Sequence, residues 1–556
     1  MAQNRRIVAC LLASMLSLAL AASVGVGCAK DQEEGAGVHS GIRFEEDSVT
    51  VRVGRSVDVL AVFDENWTDY AVQWEADPET TVQLTVPSAS IRPNKARVKG
   101  LQAGSAVVTA TASDGAKATL SVEVTGIETE PEDTPEEGGF TLTQDVVSVA
   151  LGNTVQFPCT ERAGVSFVSE DTSVATVDGS GVITPVAEGV TYVTAAKDGV
   201  TLRVKVGAVN SSERSIALTG KTEPRINFYG RGNFDASLGA QMFYFSASGF
   251  DVTFFGTELK VNMLRPSSDT YVAYLSVFLD GESMTEVVPL ASERVIRLAE
   301  KEEREYTLVS GLIEGWHTVK VRKRTAFQRG STRMDSVGLK ELKTDGYFGY
   351  CSDKPSLRID VYGDSYSCGY GNLEDGGSMT SENTDGNLAY HALLANKIGA
   401  ELNVMAASGW GVYRGNNGST AWSWVNKYDK LNTMSDEVVQ IGGADVIVIN
   451  LGANDVSGGV FDSADETRLF REAYTQMLHG IREQNPDALI LCTYGFVATN
   501  TNCKNAIRDV VSSFGDEKVK AYFYTTVRSS TGHPDLANHR NGARELEEVF
   551  RQYEII

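Results

Sequence analysis

The chain has 556 residues, 42% of them hydrophobic, with 50 Lys and Arg against 73 Asp and Glu and a net charge of −23. That length exceeds what one hydrophobic core serves, so several domains are expected. The acidic balance argues against nucleic acid, whose phosphates it would repel. No phosphate-cradling loop or dinucleotide fingerprint follows a strand, and no His and Cys cluster has zinc spacing, so no metal or organic cofactor is implied.

The first element is an export signal: MAQNRR, an apolar run from Ile7 to Gly27, then Cys28. Cys28 after small Gly27 resembles the lipidation site of a bacterial lipoprotein, with Gly25 where that pattern usually has Leu. About 20 apolar residues can also span a bilayer, so an uncleaved anchor is the alternative. The following AKDQEEG is similar to the acidic surface-export tag of Bacteroidetes lipoproteins. The resemblance implies an exported protein, lipid-anchored at the outer membrane and facing outward, with several acyl chains as its membrane attachment. Residues 1–28 are thus read as signal and 29–40 as tether.

Two similar β segments come next, Ala103–Val124 and Glu188–Val206, each an alternating strand, an Asp-Gly pair and a second alternating strand. Asp114-Gly115 and Asp198-Gly199 are hairpin signals. Short strands in repeats of this length predict two small β-sandwiches, at residues 41–126 and 139–208. Within the second, EDTSVATVDGSGVITPVAEG resembles the group 2 bacterial immunoglobulin-like family. The acidic, Pro-containing stretch 127–138 between them cannot bury a core and reads as a linker. Residues 210–345 form a third β-rich region, with FDVTFFGTELKV, YVAYLSVFLDGES and GWHTVKVRKRTAF as strands and Asp280-Gly281 closing a hairpin.

Chemistry concentrates in residues 346–556. Leu357, Ile359 and Val361 alternate as in a strand, Gly363 breaks the run, and Ser365 follows Asp364. The almost wholly apolar Ala444–Leu451 reads as a central parallel strand and delivers Asn454, in LGAND, to the carboxyl end of the sheet. His533 follows in GHP. A serine hydroxyl needs a general base to act as nucleophile, and histidine suits that near neutral pH. Gly and Asn in strand-end turns supply a backbone N–H and an amide to an oxyanion.

In this order the blocks GDSYSCGYGN, AASGWGVYR, ADVIVINLGAND and HPDLANH resemble a GDSL/SGNH hydrolase, and more narrowly carbohydrate esterase family 2. The resemblance implies an α/β three-layer, flavodoxin-like domain. It places the nucleophile at Ser365, the base at His533, and the oxyanion hole at Gly409, Asn454 and the Ser365 N–H. GRGNF, FFGTEL and the KRT of VRKRTAF resemble the jelly-roll domain preceding such hydrolases, extending the likeness over about 215–556. The wider superfamily has an Asp three residues before the histidine, where this chain has Ser530, so the group orienting His533 is open and Asp535 is one candidate. Trp410, next to Gly409, is either a sugar-stacking platform or core packing, whereas Trp422 and Trp424 read as structural. Among the remaining histidines His539 is the rival to His533, with a capping or packing role on the last helix expected for it.

Setting aside Cys10 and Cys28, five cysteines remain, and an odd number leaves at least one free thiol. Cys368, three residues past Ser365, reads as buried filler. The whole predicts a monomeric serine esterase that removes O-acetyl groups from plant-type polysaccharides or oligosaccharides such as xylan and glucomannan. The alternative is a cell-surface glycan-binding or adhesion lipoprotein with little or no turnover.

Overall fold

The computed structural model describes residues 42–556 apart from 45–46, 53–55, 64–71, 79, 86–94, 103, 114, 126–139, 267–271, 300, 327–335, 375–378, 498 and 526–531. The expected signal with Cys28, the tether, the acidic linker, Asp114 and Ser530 therefore lie outside the described residues. The chain divides into two compact units, residues 1–138 and 139–556.

In the first unit two four-stranded sheets pair Ile42–Phe44, Ser56–Phe63, Lys95–Gly100 and Val82–Thr85, and Ser48–Arg52, Lys117–Thr125, Gly104–Ala112 and Val72–Asp77, each in that spatial order. The period of two makes the core: Ala106, Val108, Ala110 and Ala112 are buried along one strand, while the residues between them are more open.

The second unit begins with another pair of small sheets. Its strand Val146–Ala150 runs parallel to Val200–Val209, as Ser48–Arg52 runs parallel to Lys117–Thr125 in the first unit. Asp198 and Gly199 have φ of 49° and 85° and join Lys197 to Val200, the mirror-image turn that suits strand twist. Residues 215–348 then build two antiparallel six-stranded sheets around one shared core containing Phe250, Val252, Phe254, Val261, Val319 and Leu339. Asp280-Gly281 makes the same kind of turn, with φ of 46° and 79° and the Glu282 N–H donating to the Leu279 carbonyl at 2.9 Å, and the chain returns antiparallel as Val295–Leu298 after a longer loop, its register reaching Ser276 opposite Val295. The Asp280 carboxylate also accepts from the Thr318 N–H at 2.8 Å and contacts His317 Nδ1 at 2.7 Å, anchoring the turn to a neighbouring strand.

The C-terminal part is α/β. Five strands, all parallel, lie in the order Glu401–Ala406, Arg358–Gly363, Val446–Asn450, Leu489–Tyr494, Val519–Phe523. The helices are α1 (Ser365–Cys368), α2 (Tyr390–Lys397), α3 (Ala453–Ser457), α4 (Ala464–Gln484), α5 (Thr501–Phe514) and α6 (Leu536–Gln552). The central strand Val446–Asn450 is buried on both faces: Ile447 and Ile449 pack with α4 and α5, Val446 and Val448 with α2 and α6. That explains its unbroken apolar run. Chain order reverses between Arg358–Gly363 and Val446–Asn450, and a crevice opens at such a switch point outside the carboxyl ends of the strands. Tyr244, Phe245 and Leu264 of the preceding β region belong to the same core as α4 and α5, so the two regions share one packed interior.

Candidate active site

Gly363 ends its strand where the backbone must turn sharply: a Cβ there would lie 2.1 Å from Ser367 Oγ. Asp364 caps the short α1 that follows, its carboxylate accepting from the Tyr366 N–H at 3.0 Å. This sets Ser365 on the first turn, at the switch point. Asn454 arrives the same way, on α3 beyond the neighbouring strand. The third side chain comes from far along the chain: His533 Nε2 lies 3.0 Å from Ser365 Oγ. That is the distance at which an unprotonated imidazole nitrogen accepts a hydroxyl proton. Burial pushes the His533 imidazole down to about 4, so the ring is neutral at neutral pH, and its tautomer with the proton on Nδ1 leaves Nε2 as the acceptor.

Asn454 Nδ2 donates to Asp364 Oδ2 at 3.2 Å and to the Trp410 carbonyl at 3.0 Å, which draws the first, second and third sequence blocks together. Gly409 sits beside this contact with φ of 81°, a left-handed conformation that strains any residue with a Cβ. Burial raises the Asp364 carboxyl to about 7, against the Tyr366 N–H and with the charge of Asp455 adding to the rise.

The structure bears on two readings that the sequence left open. Trp410 is 4% exposed and packs 5.7 Å from Trp424 in the interior, so its indole is core and offers no open face for a sugar. Asp535 caps α6, accepting from the Asn538 N–H and Nδ2 at 2.8 Å each, so its carboxylate is engaged away from the imidazole. His539 is fully buried and Nδ1 accepts from the Tyr390 N–H at 3.2 Å, a packing and capping position. All five described cysteines are free and buried, and burial pushes the Cys368 thiol far up, which keeps it protonated.

Four residues inside the quoted blocks have positions that motif reading did not assign. The buried Asp455 carboxylate accepts from the N–H groups of Val412, Tyr413 and Arg414, each at 2.9 Å, and so ties down the loop behind Gly409. Burial lifts its carboxyl to about 6, with those three N–H groups opposing. Asp364 bridges α1 to Asn454, as above. Tyr370 stacks flat on the His533 ring at 4.0 Å, and Tyr366 meets it edge-on at 5.5 Å. Adjacency to Ser365 and Asn454 was the available signal for Asp364 and Asp455. Nothing in spacing connects Tyr370 with a residue more than 160 positions later.

Residues 361–553 match the GDSL-like Lipase/Acylhydrolase family, and residues 228–344 match the Carbohydrate esterase 2 N-terminal family. The two matched segments are consecutive along the chain, the hydrolase-like one following the esterase-2-like one. The chain is 28% identical over 339 residues to a cellulase/esterase, CelE, of Acetivibrio thermocellus, covering 58% of this chain and 39% of that protein. It is 29% identical over 168 residues to an acetylxylan esterase / glucomannan deacetylase of Cellvibrio japonicus, covering 28% of this chain and 44% of that one. The chain therefore spans well under two thirds of either relative. Among solved structures, a family two carbohydrate esterase from Clostridium thermocellum in complex with cellohexaose aligns at 25% identity over 60% of this chain and all of that one, with a TM-score of 0.50. An acetyl xylan esterase from Butyrivibrio proteoclasticus aligns at 19% identity, over 61% of this chain and 98% of that one, with a TM-score of 0.53, a likeness of fold.

Proposed function

We propose that this protein is a serine carbohydrate esterase that removes O-acetyl groups from plant-type polysaccharides or oligosaccharides, xylan and glucomannan among them. The observation that carries the reading is the 3.0 Å contact between Ser365 Oγ and His533 Nε2 at the switch point of a parallel sheet. His533 takes the Ser365 proton as the oxygen attacks the acetyl carbonyl. The Ser365 and Gly409 N–H groups and Asn454 Nδ2 receive the oxyanion. His533 returns the proton to the sugar oxygen as it leaves, and water releases acetate by the same route. For Asn454 to serve, one of its two internal bonds must yield, and the longer one, to Asp364, is the weaker. The solved relative holding cellohexaose supports an oligosaccharide substrate here.

In the same reading, the two small sandwiches are immunoglobulin-like spacers, the 215–348 region is a jelly roll, and Cys28 carries the lipid that holds a monomeric protein at the cell surface. A glycan-binding protein with little turnover is the competing reading, favoured by the engagement of both Asn454 donors within the fold. The test is acetate release from acetylated xylan, glucomannan and a small aryl acetate by the full chain and by Ser365→Ala. Release lost in the variant supports the esterase. Folded native protein that binds glycan and releases no acetate overturns it.

A further inference from the structure

The proposed base does not stand on the sheet, and its ring is held by aromatic neighbours from the nucleophile's own segment. Tyr370 lies parallel to the His533 imidazole, with ring centres 4.0 Å apart and planes 17° apart. Such a contact fixes the ring plane and shields one face from water. Tyr370 itself is carried on a turn between Gly369 and Gly371, with φ of 74° and 61°. Its N–H donates to the Ser365 carbonyl at 3.1 Å, so the turn is built directly onto the nucleophile.

That turn is registered from its other side. The next polar residue, Asn372, is fully buried, and its amide makes two bonds with the backbone of Asp385: Nδ2 donates to the Asp385 carbonyl and Oδ1 accepts the Asp385 N–H, both at 2.9 Å. The Gly371 N–H donates to Thr384 Oγ1 at 3.2 Å and the Leu373 N–H to the Asn383 carbonyl at 3.0 Å, completing the lacing. Asp385 in turn faces Arg324 of the preceding β region, with Oδ2 and Nε 2.9 Å apart and both side chains almost wholly buried. The N–H of that nitrogen is off line, so the contact is an ion pair without an aligned hydrogen bond. Burial pushes the Asp385 carboxyl up more than Arg324 pulls it down. The Gly386 N–H donating to the Arg324 carbonyl at 2.8 Å joins the two regions a second time. A charge pair buried this deeply is a costly way to gain stability, and fixing one arrangement is its better-attested use.

We propose that Tyr370 is a positioning residue for the His533 imidazole, and that Arg324 of the preceding β region sets the turn carrying Tyr370 through Asp385 and Asn372. The base role of His533 rests on the esterase reading above, but the ring's placement does not. The carbohydrate esterase 2 N-terminal domain is, in this view, part of the apparatus that holds the base.

Among the described residues, the titratable groups on the elements around His533 include Asp364, Tyr366 and Tyr370 on the strand-end segment, Asp535 at the cap of α6 and His539 within it. Burial is the cause of its lowered pKa, so removing the covering ring rehydrates the imidazole and raises it from about 4 toward 6.5. The experiment follows the His533 imidazole by NMR titration of histidine-labelled full chain, using His533→Gln to assign its signal. Native protein is compared with Tyr370→Leu, Tyr370→Phe, Asn372→Ala and Arg324→Met. Tyr370→Leu is expected to raise the titration by at least about one pH unit and to lower kcat about 10–100-fold with KM nearly unchanged, whereas Tyr370→Phe, which keeps a ring, stays near native. Asn372→Ala is expected to move the signal in the same direction by less. An unmoved titration and kcat in Tyr370→Leu overturn the positioning role. Folded Asn372→Ala and Arg324→Met proteins with native titrations overturn the relay from the β region, and Asn372→Ala decides this alone where Arg324→Met does not fold. The titration needs no turnover, so native protein that releases no acetate sinks the esterase reading and leaves this test standing.

Discussion

Ser365 and Asn454 stand on strand ends of the parallel sheet, whereas His533 stands on a loop three residues before α6. The first two inherit their positions from the hydrogen-bond register of Arg358–Gly363 and Val446–Asn450, where Gly363 lies opposite Asn450. The histidine inherits nothing from that ladder. It meets Ser365 by one hydrogen bond and meets Tyr370 and Tyr366 by ring contacts. Backbone pairing is cooperative and hard to shift, while a stacked ring can slide. The strand-end corner should therefore fail only when a functional atom is removed. The loop corner should respond in graded fashion to whatever packs against it.

The largest break of that contrast is at the proposed nucleophile. Ser365→Ala should cost about 10⁴-fold or more in acetate release with an unchanged melting temperature, since a small side chain at a helix start carries little of the fold. Full release by the variant would end the serine mechanism. Next is Asn454→Ala, expected to lower kcat about 10²–10³-fold, as removal of an oxyanion donor does. Native kcat in that variant would take Asn454 out of the hole. Asp455→Ala leaves three N–H groups, one buried and two half-buried, without their acceptor, so a loss of about 3 kcal/mol in unfolding free energy is expected, together with weaker catalysis through the loosened Gly409 loop. Denaturant melts read that directly.

The pH profile sharpens the same comparison. As the proposed base, His533 would work only unprotonated, so its lowered pKa puts the expected acid fall of kcat/KM near pH 4. Asp364, raised to about 7, is neutral below that value, and its ionisation adds negative charge beside Asn454, so the rate should fall as pH rises through about 7. Asp364→Asn should abolish the alkaline fall and leave the acid limb in place. A profile flat above pH 7 in native protein would remove Asp364 from that role. The smallest effect is expected at Asp535→Ala, where loss of the α6 cap costs about 1 kcal/mol and kcat stays within about twofold. A large drop in kcat at native stability would return Asp535 to the base.

The blocks around Ser365, Gly409 and Asn454 were legible in the sequence because each couples a strand ending to a special residue, and that around His533 only through its resemblance to a family motif. Gly363 is demanded by the close approach of Ser367, and the apolar run before Asn454 by burial on both faces. The alternating strands of the β regions were legible for the related reason that a period of two marks one buried face. What only tertiary structure decided are contacts between segments with no periodic relation. Trp410 turned inward on Trp424, Asp455 captured three N–H groups of another block, and Asp280 anchored its turn to Thr318. Tyr370 met a histidine more than 160 residues away, on a turn held by Asn372 and Asp385. Local pattern records which way a side chain faces relative to its own element. Which distant group waits there is settled only when the layers pack.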